Sequence, residues 1–255
     1  MVVLMVGDVV GQSGCDYLRE KLPMLKARYQ VDVTVANGEN SSDGNGMTAK
    51  SLRHMQDSGV DVITSGNHAL RRKEAYDQLE KKAGVLRPAN YHPTAPGAGV
   101  FLYDDPRNRL CVINLQGLVY LNPNENPFDC IDRLLDDIDT PCILVDFHAE
   151  ATAEKICMGY YLDGRVSAVI GTHTHVPTAD GMILPGGTGY LTDVGMCGGF
   201  HSVLGVKAEM AIMKMRTNLP GRFEVDPLDV RISAVALEID NKTGKCLNIE
   251  SVVFL

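Results

Sequence analysis

Eight side chains able to hold a metal ion or move a proton stand directly after short apolar runs. Asp8 follows residues 2–7, Glu39 and Asn40 follow 31–38, and Asn67 and His68 follow 60–66. His148 follows 142–147, and His173 and His175 follow 166–172 with one threonine between them. Carboxylate oxygen, amide oxygen and neutral imidazole nitrogen together suit borderline transition metals such as iron, manganese, cobalt or zinc, and no thiolate is in the set. Glu39 can bridge two ions because a carboxylate has two oxygens, and Asn40 beside it can add an amide oxygen. So many ligands exceed the needs of one ion. Two ions about 3.5–4 Å apart are the usual apparatus for hydrolysing phosphate esters, one polarising the phosphoryl oxygen and both sharing a hydroxide.

Each residue alone has a plainer reading. Asp8 after a strand is an ordinary turn or cap residue, and the Glu39-Asn40 and Asn67-His68 pairs are ordinary loop residues. His173 and His175, two apart, would share one face of a strand, where two imidazoles are costly to bury without partners. Capping and core packing offer no common reason for five strand ends to carry such residues. In α/β proteins those ends gather at one edge of the sheet, where ligands bind.

Short β-branched runs alternating with helix-like segments supply the ends. The pattern predicts strands at 2–6, 31–36, 60–64, 100–103, 111–114, 142–146 and 166–170. Beyond Gly181 the texture turns strand-rich, with 231–239 and 248–254 flanking an Asn241-Lys242-Thr243-Gly244 turn. Leu18, Leu22 and Leu25 mark one helix face, with Pro23 as an irregularity. A second helix starts at Thr48 as N-cap, turns Leu52 and Met55 inward and stops at Gly59. An exposed charged helix is expected over 71–82, closed by Gly84, and another near 128–137.

The chain has 255 residues, 45% hydrophobic and 22% charged, which suits an ordinary globular protein read as one domain over 1–255. Thirty-two acidic against 24 basic residues give a net charge of −8, which opposes stable binding to a phosphate backbone. No apolar run approaches the roughly 18 residues of a membrane span. The seven cysteines are scattered without a C-x-x-C pair and read as free thiols of a reducing compartment. With no secretory pattern at the start, a cytoplasmic location is expected.

The order Gly7-Asp8, Glu39-Asn40, Gly66-Asn67-His68, His148 and Gly171-Thr172-His173-Thr174-His175 resembles the calcineurin-like metallophosphoesterases. More closely, the runs Gly7-Asp8-Val9-Val10-Gly11, Leu86-Arg87-Pro88-Ala89-Asn90, Ile113-Asn114-Leu115-Gln116-Gly117, Val145-Asp146-Phe147-His148 and Thr192-Asp193-Val194-Gly195-Met196 resemble the bacterial YmdB family of cyclic-nucleotide phosphodiesterases. The resemblance spans nearly the whole chain. It implies the α/β, four-layer α-β-β-α metallophosphoesterase sandwich and hydrolysis of 2′,3′-cyclic nucleotides, with 3′,5′-cyclic ones as a further class. It also implies two divalent transition-metal ions per chain, iron first and manganese second. Asp8, Glu39 and His175 would hold the first, Glu39 would bridge, and Asn40, Asn67, His148 and His173 would hold the second. A metal-bridged hydroxide would attack phosphorus while His68 protonates the leaving oxygen. The chain departs from the superfamily at Val10, where a histidine ligand is usual, at Glu39-Asn40, in place of an aspartate box, and at Ala69, where an acid is common. The first site is thereby poorer in ligands.

Two other readings stand beside this one. Gly7, Gly11 and Gly14 after the first strand would serve a dinucleotide, although their spacing is not G-x-G-x-x-G. A regulator that binds a nucleotide or an RNA-processing protein without turnover is the other. The partners to consider are therefore a small cyclic nucleotide, an RNA-processing protein and a second copy of the chain, with no membrane and no stably bound nucleic acid. Arg87 and Asn90 are read as phosphate or base contacts or as loop anchors. Glu150 and Thr152 orient His148 or start the next helix, His201 approaches the site through the Gly198-Gly199 loop or lies at the surface, and His54 and His92 stand outside the pattern.

Overall fold

The computed structural model describes residues 1–254. In chain order the strands are β1 (Val2–Val6), β2 (Asp8–Val9), β3 (Val33–Asn37), β4 (Val62–Thr64), β5 (Val100–Asp104), β6 (Arg109–Gln116) and β7 (Ile143–His148). They continue with β8 (Ala168–Thr172), β9 (Met182–Ile183), β10 (Gly189–Leu191), β11 (Met196–Gly199), β12 (Val230–Ile239) and β13 (Cys246–Phe254). The helices are α1 (Gly11–Tyr29), α2 (Ala49–Asp57), α3 (Tyr76–Glu80), α4 (Pro127–Leu135), α5 (Thr152–Tyr161) and α6 (Ala208–Thr217).

The strands form two sheets, and side-chain alternation shows how they stack. In β1, Leu4 and Val6 pack with Leu18, Leu22 and Leu25 of α1, while Val3 and Met5 face the other way, onto Val112 and Leu144 of the second sheet. In β6, Leu110 and Val112 face that shared core, and Cys111, Ile113 and Leu115 meet Ile131 of α4 and Met158 of α5. Strands covered on both faces read as continuous apolar runs, which is why these segments lack a polar alternation. The layers are helices, sheet, sheet, helices: the four-layer α-β-β-α sandwich of the metallophosphoesterases.

One sheet runs β2-β11-β12-β1-β3-β4 with β13 paired to β12, and the other runs β5-β6-β7-β8-β10-β9. Strands β1, β3 and β4 are parallel, as are β6, β7 and β8. The registers pair Val6 with Ala36, Asn37 with Thr64 and His148 with Thr172, so the polar residues that follow emerge together at one edge.

Several elements differ from the sequence expectation. Helix α1 runs through Pro23, because that proline sits on the solvent face while Leu18, Leu22 and Leu25 stay fully buried. The long helix expected over 71–82 shrinks to a 3-10 turn at Lys73–Ala75 and the short α3, with only Ala75 and Leu79 to bury. Helix α6 interrupts the strand-rich C-terminal third and buries only Ala211, so no apolar stripe announced it. Helix α2 follows its forecast, with Thr48 and Ser51 closing a reciprocal cap. No helix among the described residues is long and apolar enough to cross a membrane.

Candidate metal centre

The residues from five strand ends converge. His148, fully buried at the end of β7, points Nε2 at three groups: Glu39 Oε1 at 3.1 Å, Asn67 Oδ1 at 3.0 Å and His173 Nδ1 at 3.0 Å. On the other side of Glu39, Asp8 Oδ1 lies 3.6 Å from His175 Nε2, which is 3.0 Å from the Asn40 amide. His68 closes the near wall: its backbone N–H donates to Glu39 Oε2 at 3.0 Å, and its Nδ1 is 2.8 Å from Asn40 Oδ1. A cavity of about 270 Å³ opens onto Glu39, Asn40, His68, Glu150, His173 and His175.

The resemblance groups Asn40 with Asn67, His148 and His173. Its contacts here are with His68 through Oδ1 and with His175 through Nδ2, on the side of the cluster where His175 faces Asp8. This side of the cluster, short of a histidine at Val10, is thereby supplied with an amide. Val10 itself is buried and its methyl groups fill the space beside Gly205, Gly44 and Gly198.

The two histidines do not share a strand face. Strand β8 ends at Thr172, and His173 and His175 have φ of 104° and 65°, values that cost a non-glycine residue about 1–3 kcal/mol where the backbone is strained. The turn sends His173 to the His148 side and His175 to the Asp8 side. His175 Nδ1 is fixed by Leu204 O at 2.9 Å, leaving Nε2 toward Asp8. His173 Nε2 is held by Glu150 at 3.0 Å, leaving Nδ1 toward His148. Glu150 thus orients His173 rather than His148, and Thr152 begins α5.

Behind His148, Nδ1 meets Thr172 Oγ1 at 2.9 Å, and that hydroxyl donates to Asp146 at 2.7 Å, a chain that sets the ring's orientation. Tyr91 supports the Asn67-His68 loop with its hydroxyl, which lies 3.0 Å from Gly66 O and 2.8 Å from Gln116 Oε1 and can donate to either. A Cβ added at Gly66 would lie 2.0 Å from the His148 ring, which explains the glycine. Gly66→Ala is expected to push that ring off the cluster and cost about 1–3 kcal/mol of stability, the range for overpacking. Thermal melting with metal analysis checks this, and an alanine variant with unchanged melting and ion content would contradict it.

Electrostatics favour a cation. Asp8 Oδ1 is buried without a hydrogen-bond partner, and Asp8, Glu39 and Asp146 are all out of water, with Glu39 and Asp146 each feeling the charge of Asp8. Burial opposes ionisation of Asp8, yet the facing His175 holds it well below the ordinary carboxylate range. Burial likewise disfavours a charged His148, but Glu39, Asp8 and Asp146 outweigh it and push the ring up to about 9. His173 is pushed down to about 4 by burial and by His148, and burial pushes Asp146 up to about 6. Without an ion these carboxylates favour a proton on His148, a positive charge that a divalent ion would supply in its place. Glu39, His148 and His173 place one ligand atom each within 4.8 Å of one another. The residues present therefore fit metal binding.

The other candidates resolve without chemistry. Arg87 donates to Pro88 O and Ala95 O, and Asn90 bonds Gln116 and Glu125 backbone, so both anchor loops. His201 is exposed beside Asp229, His92 caps its own turn, and His54 faces Gln12 and Asp16. The three glycines of the dinucleotide reading are filled by protein: a Cβ at Gly7, Gly11 or Gly14 would lie 1.9, 3.0 or 2.5 Å from Gly195 O, Val225 or Cys197 O.

The fold is of the metallophosphoesterase type. The NAD nucleotidase of Haemophilus influenzae shares the fold, with a TM-score of 0.60 at 10% identity, covering 99% of this chain and 55% of that one. The model of the YmdB-like protein family matches residues 4–252, and the chain belongs to that family. It is 45% identical over 255 residues to a Bacillus subtilis 2′,3′-cyclic-nucleotide 2′-phosphodiesterase, covering 99% of this chain and 97% of the relative. A crystal structure described as a novel phosphatase from Mycoplasma pneumoniae superposes with a TM-score of 0.94 at 34% identity, covering 100% of this chain and 93% of that one.

Proposed function

We propose that this chain is a metal-dependent phosphodiesterase that hydrolyses 2′,3′-cyclic nucleotides, with 3′,5′-cyclic nucleotides as a secondary substrate class. The observation that carries the reading is the meeting of Asp8, Glu39, Asn40, Asn67, His148, His173 and His175 beneath a cavity walled by His68. The name of the Bacillus subtilis relative supports the substrate class. The two sheets act as one domain, since their facing sides share a single core.

Asp8, Glu39, Asn40 and His175 would hold one ion, and Glu39, Asn67, His148 and His173 the other. The mixed oxygen and imidazole set suits iron or manganese. When bound, the ions supply Lewis acidity to the phosphoryl oxygens and a nucleophile at neutral pH. Glu39 would serve both sets, since a carboxylate has two oxygens; Oε1 faces His148 and Oε2 accepts the His68 backbone N–H. Burial lowers the pKa of His68 while Glu39 works against that, and the anionic phosphodiester beside it favours the charged ring. With Nδ1 held on Asn40, Nε2 is the nitrogen left to give a proton to the leaving sugar oxygen.

The test is elemental analysis of the purified protein followed by turnover on a panel of 2′,3′- and 3′,5′-cyclic nucleotides, before and after chelation. We expect up to two transition-metal ions per chain, highest turnover on a 2′,3′-cyclic nucleotide, and activity that chelation removes and added Mn²⁺ restores. A fully active metal-free protein would sink the reading.

A further inference from the structure

Lys155 of α5 and Asp193, in the turn between β10 and β11, are both about as buried as the core, with side chains 1% exposed and Nζ 2.7 Å from Oδ2. Nothing in the reaction above uses either. Two charges taken out of water are costly to keep, and the hydrogen bonds around this pair show where they act. Asp193 Oδ2 also accepts the backbone N–H of Thr174 at 3.0 Å, and Thr174 is the residue between His173 and His175. Asp193 Oδ1 accepts the N–H of Gly195 at 2.9 Å, and Gly195 O in turn accepts the N–H of Asp8 at 3.1 Å. Thr178 fixes the backbone of Asp193, donating its N–H to Asp193 O at 3.0 Å and accepting the Asp193 N–H on Oγ1 at 2.9 Å.

One carboxylate therefore bears on three candidate ligands, on His173 and His175 through one bond to the residue between them and on Asp8 through two successive bonds by way of Gly195. It grips the His-Thr-His turn at its middle residue, where the chain is left-handed on both sides. Such backbone persists only when its surroundings over-determine it. It also grips the turn that fixes the height of Asp8. Only a carboxylate meets both N–H groups, because the amide of an asparagine has one oxygen and would turn N–H against N–H at the other.

We infer that Asp193 and Lys155 are a positioning pair: they hold the His-Thr-His turn in the form that aims His173 and His175 at opposite sides of the cluster, and so set its affinity for divalent ions. This rests on the metal-centred reading given under Proposed function. Lys155 donates the third hydrogen bond to the carboxylate and neutralises it.

The experiment compares Asp193→Asn and the double variant Lys155→Met/Asp193→Asn with the wild-type chain, all stripped of metal. Two quantities are read, the Mn²⁺ dissociation constant by titration and the melting temperature without metal. Both variants are expected to bind Mn²⁺ about 10- to 100-fold more weakly, the usual loss when a group supporting a metal ligand is removed. The double variant should recover melting temperature lost by Asp193→Asn, since no lone charge stays buried, without recovering affinity. It carries the test if Asp193→Asn alone does not fold. Wild-type affinity in either variant, with only the melting temperature changed, would overturn the inference and leave the metal reading standing. A wild-type chain that takes up no Mn²⁺ would overturn both.

Discussion

Glu39→Gln is expected to lose ions and turnover together, with a drop on a 2′,3′-cyclic nucleotide beyond the roughly 10⁴-fold upper end for losing a proton donor. Glu39 is 1% exposed, and each oxygen has its own work: Oε1 faces His148 Nε2 at 3.1 Å, and Oε2 accepts the His68 backbone N–H at 3.0 Å. A glutamine has one oxygen. Its NH₂ would face either the His148 side or the His68 N–H, so the two proposed ion sites would lose the ligand they are expected to share, or the loop bearing Asn67 and His68 would swing away. The buried negative charge that balances His148 is lost as well. Metal analysis and turnover, with a melting curve to show that the chain folds, check the expectation. A Glu39→Gln protein that keeps two ions per chain and wild-type turnover would remove Glu39 from the bridging role.

His68→Ala should separate proton transfer from ion binding. The ring stands at the cavity wall with Nδ1 on Asn40, and it is not among the groups gathered on His148 Nε2. Its loss is expected to leave the ion content unchanged and lower turnover of a cyclic nucleotide by roughly 10²- to 10⁴-fold. A p-nitrophenyl phosphodiester should suffer less, because its phenolate leaves without protonation. Asn67→Ala is the contrast: its oxygen lies 3.0 Å from His148 Nε2, so that variant should weaken ion binding and slow both substrates alike. Equal slowing of both substrates by His68→Ala, or a lost ion, would show that His68 acts as a ligand or a transition-state contact.

The candidate ligands were legible in the sequence because their signal is local. A polar residue after an apolar run marks a strand end wherever the sheet is buried on both faces, and Asp8, Glu39, Asn67 and His148 all stand at such ends. Thr48, Leu52, Met55 and Gly59 likewise spelled out α2, since a cap, an inward face and a stop lie within a dozen residues. Helix α6 and the shortened α3 escaped because almost nothing in them is buried, and a helix held by few core contacts leaves no periodic trace.

The sequence by itself determined the strand ends and the chemical types gathered there, because an apolar run closed by polar residues is a local signal, while the layer order was legible only through the family resemblance. Tertiary structure alone decided that Asn40 stands with His175, that His173 and His175 are parted by a left-handed turn and not aligned on a strand, and that Glu150, Asp146 and Tyr91 support the ligands. It also decided that Lys155 and Asp193, 38 positions apart, meet in the interior. These choices depend on which buried charge or N–H finds its partner once water is excluded, and the partners come from different strands, loops and helices. Residue spacing along one segment carries no record of such pairings; the packed sheets and helices make them.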